Sequence, residues 1–262
     1  MLRYFRLASV QLRISAAAAM AYRSDFLLEG ALAIAWLALT ALPLLVLFDG
    51  RSSVAGWDES SALIVIACFM ALRAILEGVI SPSLTDMVER IRSGAFDYVL
   101  LKPVDAQAMI SASRFEPWKV FDLLGALALT SYAFWLRGTV PTPHAVALGL
   151  VLFVAGALAM YSLWIVCCAL SFWVVRMDNL QYLLGSIFDV ARWPVQVFRG
   201  VWRMVFTFVI PVAVMTTFPS MALLGTLDPR TALATVGGAA ALLVLSRLVW
   251  RAAIRNYTSA SS

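Results

Sequence analysis

Residues 60–80 read SSALIVIACFMALRAILEGVI. From Ala62 to Leu72 no charged or strongly polar side chain interrupts the run. About 20 apolar residues in a helix cross the hydrocarbon core of a bilayer. The stretch therefore predicts a membrane-spanning helix. It carries two charges, Arg73 and Glu77, four residues apart and so on one helix face. A lone charge at mid-bilayer costs about 2.5–3.5 kcal/mol on insertion scales, which mutual pairing reduces. Arg73 lies roughly 10 Å of helical rise from the polar end of the stretch, within reach of the interface by snorkelling.

The rest of the chain has the same character. Of 262 residues, 62% are hydrophobic and 13% charged, with a mean hydropathy of +0.88. Soluble domains average about 25% charged residues. This is the composition of an all-α integral membrane protein. Six spans are predicted: Phe26–Phe48, Ser60–Ile80, Trp118–Leu136, Ala145–Val174, Met204–Leu224 and Thr231–Trp250. The fourth is long enough to tilt or break, and the fifth contains Pro211. The three cysteines, Cys68, Cys167 and Cys168, sit in apolar runs and read as small buried hydrophobes. No disulfide framework or metal site follows from them.

With six spans the 20 lysines and arginines divide unequally. Sixteen fall on the side of the N-terminus, three (Arg51, Arg137, Arg230) fall on the other, and Arg73 lies within a span. Basic residues collect on the cytoplasmic side, so both termini are expected in the cytoplasm. The net charge of +5 is thus a topology signal, not the footprint of a nucleic-acid partner. A further span at Tyr182–Val201 is conceivable, but it would carry the C-terminal arginines outside. The N-terminal residues show no signal-peptide pattern. Residues 1–22 read as an interfacial amphipathic helix, with Arg3, Arg6 and Arg13 reaching lipid headgroups. No linker or repeat divides residues 1–262, so a single transmembrane domain is expected.

The longest polar loop, Ser81–Pro117, separates spans two and three on the cytoplasmic side. Ser81 and Pro82 suit the N-cap and first position of a short helix. Leu84, Met87, Val88 and Ile91 then form one apolar stripe, and Asp86, Glu89, Arg90 and Arg92 occupy the other face. Gly94 is placed to end the helix, giving residues 82–94. Pro103 discourages helix at Lys102. Such a helix either lies on the inner leaflet or docks a cytoplasmic partner. The mixed charge of its polar face suits a protein partner slightly better than a lipid surface.

Gly94-Ala95-Phe96-Asp97-Tyr98-Val99-Leu100-Leu101-Lys102-Pro103 resembles the "G-x-h-D-x-x-L-x-K/R-P" signature of a group of ABC-2-type transporter permeases. Downstream, Arg192-Trp193-Pro194-Val195-Gln196-Val197-Phe198, then Phe206-Thr207-Phe208-Val209-Ile210-Pro211-Val212-Ala213 and Phe218-Pro219, is similar to that group's "P-x-x-h-F … F-h-h-P-h-A … h-P" run. Ala21-Tyr22-Arg23-Ser24-Asp25-Phe26 resembles its approach to span one. The matches cover most of the chain in family order. Met215-Thr216-Thr217 departs from the group in being less aromatic.

The resemblance implies a six-helix ABC-2 exporter fold with an N-terminal interfacial helix and a cytoplasmic coupling helix, here residues 82–94. It implies a permease subunit in the bacterial cytoplasmic (inner) membrane, working with a separate ABC ATP-binding subunit and a second permease, paralogous or identical. On that reading Asp86, Glu89, Arg90, Arg92, Gly94, Asp97, Lys102 and Pro103 couple the ATPase to the spans. ATP and Mg would bind the partner subunit, with no cofactor in this chain. The sequence agrees in lacking a Walker A motif, because Lys102 follows Leu101 and Lys119 follows Trp118 rather than glycine. With His144 as its single histidine, placed at a span end, the chain offers no catalytic triad and no histidine-pair metal site.

Two polar groups remain within or beside the spans. Arg73 and Glu77 are either a structural pair or part of the translocation path or an inter-subunit seam. Asp189, Arg192, Gln196, Arg199 and Arg203 are spaced 3, 4, 3 and 4, one polar stripe if helical, with Pro194 as a kink. That stripe is either an interfacial face at lipid phosphates or a basic lining for an anionic or amphipathic substrate. The alternative class is a non-ABC secondary carrier or membrane assembly factor. A carrier would be expected to show matching broken helices in two halves.

Overall fold

The structure is a computed structural model that describes residues 2–21, 23–51, 53–54, 56–111, 113–172 and 185–255. Among these the chain is helical, with one isolated bridge between Val54 and Trp57 and no strand. The helices are α1 (Leu2–Ala21), α2 (Arg23–Phe48), α3 (Glu59–Arg92), α4 (Asp97–Leu100), α5 (Ala106–Ile110), α6 (Pro117–Arg137), α7 (Pro143–Ala169), α8 (Val201–Met204), α9 (Ala213–Leu223) and α10 (Pro229–Arg255). Five are long and apolar enough to cross a membrane: α3, α6, α7, α10 and the Leu28–Phe48 part of α2. The predicted interfacial helix is helical over Leu2–Ala21, and Arg13 is exposed on it. Tyr22 and the side chains of Arg3 and Arg6 lie outside the described residues.

The middle of the bundle is α3. Leu63, Ile64, Val65 and Ile66 are each at most 2% exposed, so every face of the helix is covered. An apolar pattern all round a helix has this consequence. Around it stand α2, α6, α7 and α9. Glycines allow the closest packing: a Cβ at Gly156 of α7 would lie 2.9 Å from the Met215 Cα, and one at Gly149 would lie 2.7 Å from the Leu223 side chain.

The cytoplasmic helix expected over residues 82–94 is not separate from span two. The helix continues from Glu59 to Arg92 through a π-helical stretch at Leu76–Ile80, and Ser81 is no N-cap. Pro82 normally breaks a helix because it lacks an N–H and crowds the carbonyl four residues back. Here that carbonyl, Gly78 O, instead accepts the Glu116 N–H at 2.8 Å. The π-helical widening and the borrowed donor let the rod run on. It ends as expected, with Gly94 at φ +75° and the Phe96 N–H donating back to Arg90 O at 2.9 Å.

The fifth predicted span, Met204–Leu224, is not a continuous helix. Ile210 is extended (φ −116°, ψ 92°) ahead of Pro211, which disfavours helix at the residue before it. Only α9 follows, 11 residues or roughly 16 Å, about half the hydrocarbon thickness. α9 runs antiparallel to α7, with Met215 beside Gly156 near mid-bundle and Leu223 beside Gly149 near the end. Three aromatic contacts and one groove show where the chain stands relative to the ends of the bundle. Phe172 packs on Phe96 and Trp250, at the end that carries the 93–116 loop. Trp193, Pro194 and Val197 line a groove with Phe48, Val54 and Trp57, at the opposite end. Between them Phe188 stacks on Phe69 of α3, with ring centroids 5.2 Å apart. The chain therefore passes from one end to the other before Val201. Residues 173–184, with Arg176 and the start of the alternative Tyr182–Val201 span, lie outside the described residues.

Candidate functional site

Arg73 and Glu77 do share a face and do pair, Nε to Oε1 at 2.7 Å. The pair is the centre of a larger network. Lys119 Nζ reaches Glu77 Oε2 at 2.6 Å and Asp122 Oδ2 at 3.1 Å, tying α3 to the start of α6. Arg73 Nη1 also meets Asp189 Oδ1 at 3.4 Å, and Arg192 Nη2 meets the same oxygen at 3.4 Å. Arg73 lies over the Trp36 ring at 5.8 Å and Arg192 over Phe69 at 5.6 Å. Three cations thus face three carboxylates, and the cluster is neutral as a whole. It borders a cavity of about 50 Å³ shared by α2, α3 and α6 and lined in part by Trp36 and Thr40. Low dielectric strengthens each pairing, and the balance of charge avoids the cost of an isolated buried ion.

The regular stripe expected of Asp189, Arg192, Gln196, Arg199 and Arg203 does not form. Asp189–Arg192 is a 3₁₀ turn, Trp193 is extended ahead of Pro194, and Gly200 adopts φ +57°. The residues scatter accordingly. Arg192 belongs to the charge network. The Gln196 Nε2–H points at Met221 Sδ at 3.6 Å, while its buried Oε1 finds no partner among the described residues. Arg199 and Arg203 are exposed. Arg199 follows Val197 by two residues, at most about 7 Å of chain, so it lies at the end opposite the 93–116 loop. The expected placement of Arg199 on the loop side is corrected by this path.

At the loop end, Leu84, Met87 and Val88 are buried and Ile91 packs partly against them, as their spacing required. Asp86 and Arg90 pair along the helix, Oδ2 to Nε at 2.8 Å. Glu89 and Arg92 are exposed, as are Lys102 and Pro103. The most exposed large hydrophobic side chains of the 81–116 region are Tyr98 at 72% and Leu101 at 79%, on and just after α4. Phe96, by contrast, is fully buried between Phe172 and Trp250 and pins this turn to the ends of α7 and α10.

The return strand of the loop is stitched back to α3. Ser83 Oγ donates to Arg114 O at 2.8 Å and accepts from the Arg114 N–H at 3.2 Å. A second anchor reaches α10. Arg247 grips both carboxylate oxygens of Asp105 and donates to Gln107 Oε1 at 2.6 Å. Gln107 in turn donates to the Tyr161 hydroxyl at 3.1 Å, which also bonds Ser111 Oγ at 2.6 Å. Hydrogen bonding to Arg247 holds the Asp105 carboxyl below its ordinary range. Burial pushes Glu116, two residues after Arg114, above its own.

The sequence model described as ABC-2 family transporter protein matches residues 34–261, most of the chain. The chain belongs to this ABC-2 family. A comparison with curated proteins gives no significant match, and nor does one with solved structures. Family membership makes this a multi-pass membrane protein and a component of membrane transport. In this ABC-2 chain the Gly94–Pro103 motif forms the tip of the loop: a left-handed glycine, a buried aromatic anchor, one short helix and an exposed Leu-Lys-Pro end. Sequence reasoning missed Lys119, Asp122, Asp105 and Arg247. The first two had a signal, since Lys119 stands at the threshold of a span with Asp122 three residues on. Asp105 and Arg247 are 142 residues apart and had none.

Proposed function

We propose that this chain is the permease subunit of an ATP-driven ABC exporter in a bacterial inner membrane. The loop end and both termini face the cytoplasm. α2, α3, α6, α7 and α10 then cross the bilayer, with α9 as a half-helix dipping in from the outer side, and the positions of Phe172 and Trp193 at opposite ends call for a sixth crossing. ATP and Mg bind a separate ATP-binding subunit, and a second permease, identical or paralogous, completes the pathway. Asp86, Glu89, Arg90, Arg92, Gly94, Asp97, Lys102 and Pro103 form the coupling region, with Tyr98 and Leu101 added to it as apolar contacts.

One observation carries this reading: the polar helix at the loop end is the continuation of the most enclosed helix of the bundle. A push on its tip reaches the enclosed part of α3 along unbroken helix, by way of the π-helical stretch Leu76–Ile80. The bonds at Gly78 and Ser83 fasten the start of α6 to the same rod. Exposed Tyr98 in a polar loop offers the aromatic anchor that protein interfaces favour, with Leu101 as apolar area beside it. Arg73, Glu77 and Arg192 then form a seam between moving parts, whereas Gln196, Arg199 and Arg203 lie towards the outer half of the path.

The test is affinity capture of the chain from its native membranes. An ATP-binding subunit is expected in the eluate, with Mg·ATP hydrolysis that the chain alone lacks. Glu89→Arg and the pair Tyr98→Asp/Leu101→Asp are each expected to lower its recovery while leaving the melting temperature of the chain unchanged, and Asp97→Arg is expected to lower recovery as well. Capture of the chain alone, with substrate movement independent of ATP, would refute the proposal in favour of a carrier.

A further inference from the structure

The charge network around Arg73 is not sealed. The side chains of Arg73 and Glu77 are each 34% exposed. Arg73 and Arg192 share Asp189, whose side chain is 44% exposed. Arg73 lies within a membrane-spanning helix, where hydrocarbon offers an ion no hydrogen bond. What stands against these groups in a bilayer is therefore polar.

The cavity beside them meets that requirement. Lys119 and Asp122 border it at the start of α6, and Trp36 and Thr40 border it farther in, on α2. Phe48 stands at the end of the bundle opposite the loop, so Leu28 is the loop end of this span. Thr40 lies about 18 Å along the helix from Leu28, past the middle of a hydrocarbon core about 30 Å thick. A line of charged side chains thus leads from the loop end to mid-bilayer depth.

Size and chemistry select the occupant. The centres of water molecules have about 50 Å³ to move in. One water takes roughly 10–15 Å³ so measured, which leaves room for a few. A helix, about 10–12 Å across, does not enter. An enclosed water needs roughly two to four polar partners. Arg73, Glu77, Lys119 and Asp122 supply charged ones, and their two cations and two carboxylates leave no net charge to draw in an ion. The Thr40 hydroxyl supplies another. Thr130, Ser131 and Ser162 turn theirs onto the carbonyl four residues back, and Thr40 makes no such bond among the described residues. We infer that this cavity is a hydration site, through which water from the loop end reaches the ion pairs between α2, α3 and α6. Water there weakens each Coulomb attraction, so these helices shift past one another without stranding a charge in hydrocarbon. The inference requires only that the chain spans a bilayer, and it stands apart from the ATP-coupled reading.

The test is X-ray radiolytic labelling of the wild-type chain in lipid nanodiscs, where hydroxyl radicals formed from water oxidise the side chains next to it. Met70 lines the cavity, whereas Met160 and Met215 are buried in the same bundle and do not. Their exposures are 6%, 0% and 1%. Met70 is expected to be oxidised several-fold faster than the other two, as read by peptide mass spectrometry. Thr40→Leu and, more fully, Thr40→Phe take up the space. Both are expected to bring Met70 down towards the rate of Met160 and to leave the exposed Met204 unchanged. Equal rates for the three buried methionines in the wild type overturn the proposal, and so does an excess at Met70 that survives both substitutions. Loss of the excess when the complex captured from native membranes replaces the isolated chain also overturns it, because protein then fills the cavity.

Discussion

Glu77 accepts two charge-assisted hydrogen bonds, from Arg73 Nε at 2.7 Å and Lys119 Nζ at 2.6 Å. Glu77→Gln keeps the shape of the side chain and removes its charge, leaving the cluster with three cations against two carboxylates. A hydrogen bond to a charged group contributes about 1.5–3 kcal/mol, so two such bonds set an upper range of about 3–6 kcal/mol. Glu77 and Arg73 are each 34% exposed, and solvent screens part of that. A Gln amide also retains one weaker contact. Discounting for both leaves about 1.5 kcal/mol, roughly a tenfold loss in the folded-to-unfolded ratio. For a chain of this length that lowers the melting temperature by about 3–6 °C. Intrinsic-fluorescence melting in nanodiscs reads it directly. The sharper assay is a double-mutant cycle. Arg73→Gln alone leaves an excess of negative charge, and the double variant Arg73→Gln/Glu77→Gln restores neutrality. The double variant should be more stable than the sum of the singles by at least about 0.5 kcal/mol. Additive losses would mean that the charges act independently, and the reasoning for a balanced network would fail.

Two further outcomes follow from particular contacts. Gly156→Ala should destabilise the bundle by about 1–3 kcal/mol, because its Cβ would meet backbone at Met215 Cα (2.9 Å) and at Met215 O and Val214 O (both 3.0 Å). Gly149→Ala should cost less, since there it is the Leu223 side chain that must move; thermal melting of both variants side by side distinguishes the two, and equal losses would contradict the packing described. Asp105→Asn should cost about 0.5–1 kcal/mol at neutral pH, a screened ion pair lost while the helix cap is retained. Arg247 depresses the folded-state pKa of Asp105, so the carboxylate adds stability above its ordinary value of 3.8 and loses it as pH falls through the lower folded value. The difference between wild type and Asp105→Asn is therefore constant from pH 7 to about 5 and closes below about pH 4, which melting curves across that range check.

Local patterns reported local structure well. The spacing of Leu84, Met87, Val88 and Ile91 fixed which side of the polar helix faces inward, and the i, i+4 spacing of Arg73 and Glu77 placed them together. Gly94 ended the helix where a residue with positive φ was needed. Failures came where a distant group supplied what the local sequence lacked. Pro82 reads as a helix start because its neighbours cannot satisfy Gly78 O, yet the Glu116 N–H does so from 38 residues away. Asp189 and Arg192 read as part of one helical stripe outside the spans, either interfacial or lining a path, because an unpaired charge does not belong in a span. Arg73, 116 residues earlier, is the counter-charge that brings them inside. Without that pairing in view, the more apolar Met204–Leu224 reads as a span, which it does not make. Hydropathy scores each segment as if it met lipid alone. It therefore misjudges segments whose charges are neutralised by another helix.

Within the charge network, α3 is held more closely to the start of α6 than to Asp189. α3 and the start of α6 are held by short bonds, Glu77 to Lys119 at 2.6 Å and Glu116 N–H to Gly78 O at 2.8 Å, and by the Lys119 stem lying 3.1 Å from where a Gly78 Cβ would be. The loop that joins them is sewn to the same rod at Ser83. Across the other side, Arg73 meets Asp189 only at 3.4 Å, and Asp189 divides its charge between Arg73 and Arg192. A carboxylate shared by two arginines can pass from one to the other with little loss of pairing. Displacement of α3 and α6 by a push at Tyr98 and Leu101 would act on Asp189 through Arg73 and on Phe188 through its stacking on Phe69, next to the segment that runs towards Pro194 and the broken half-helix α9. In the proposed exporter, these contacts are where motion of the rod reaches the outer half of the pathway.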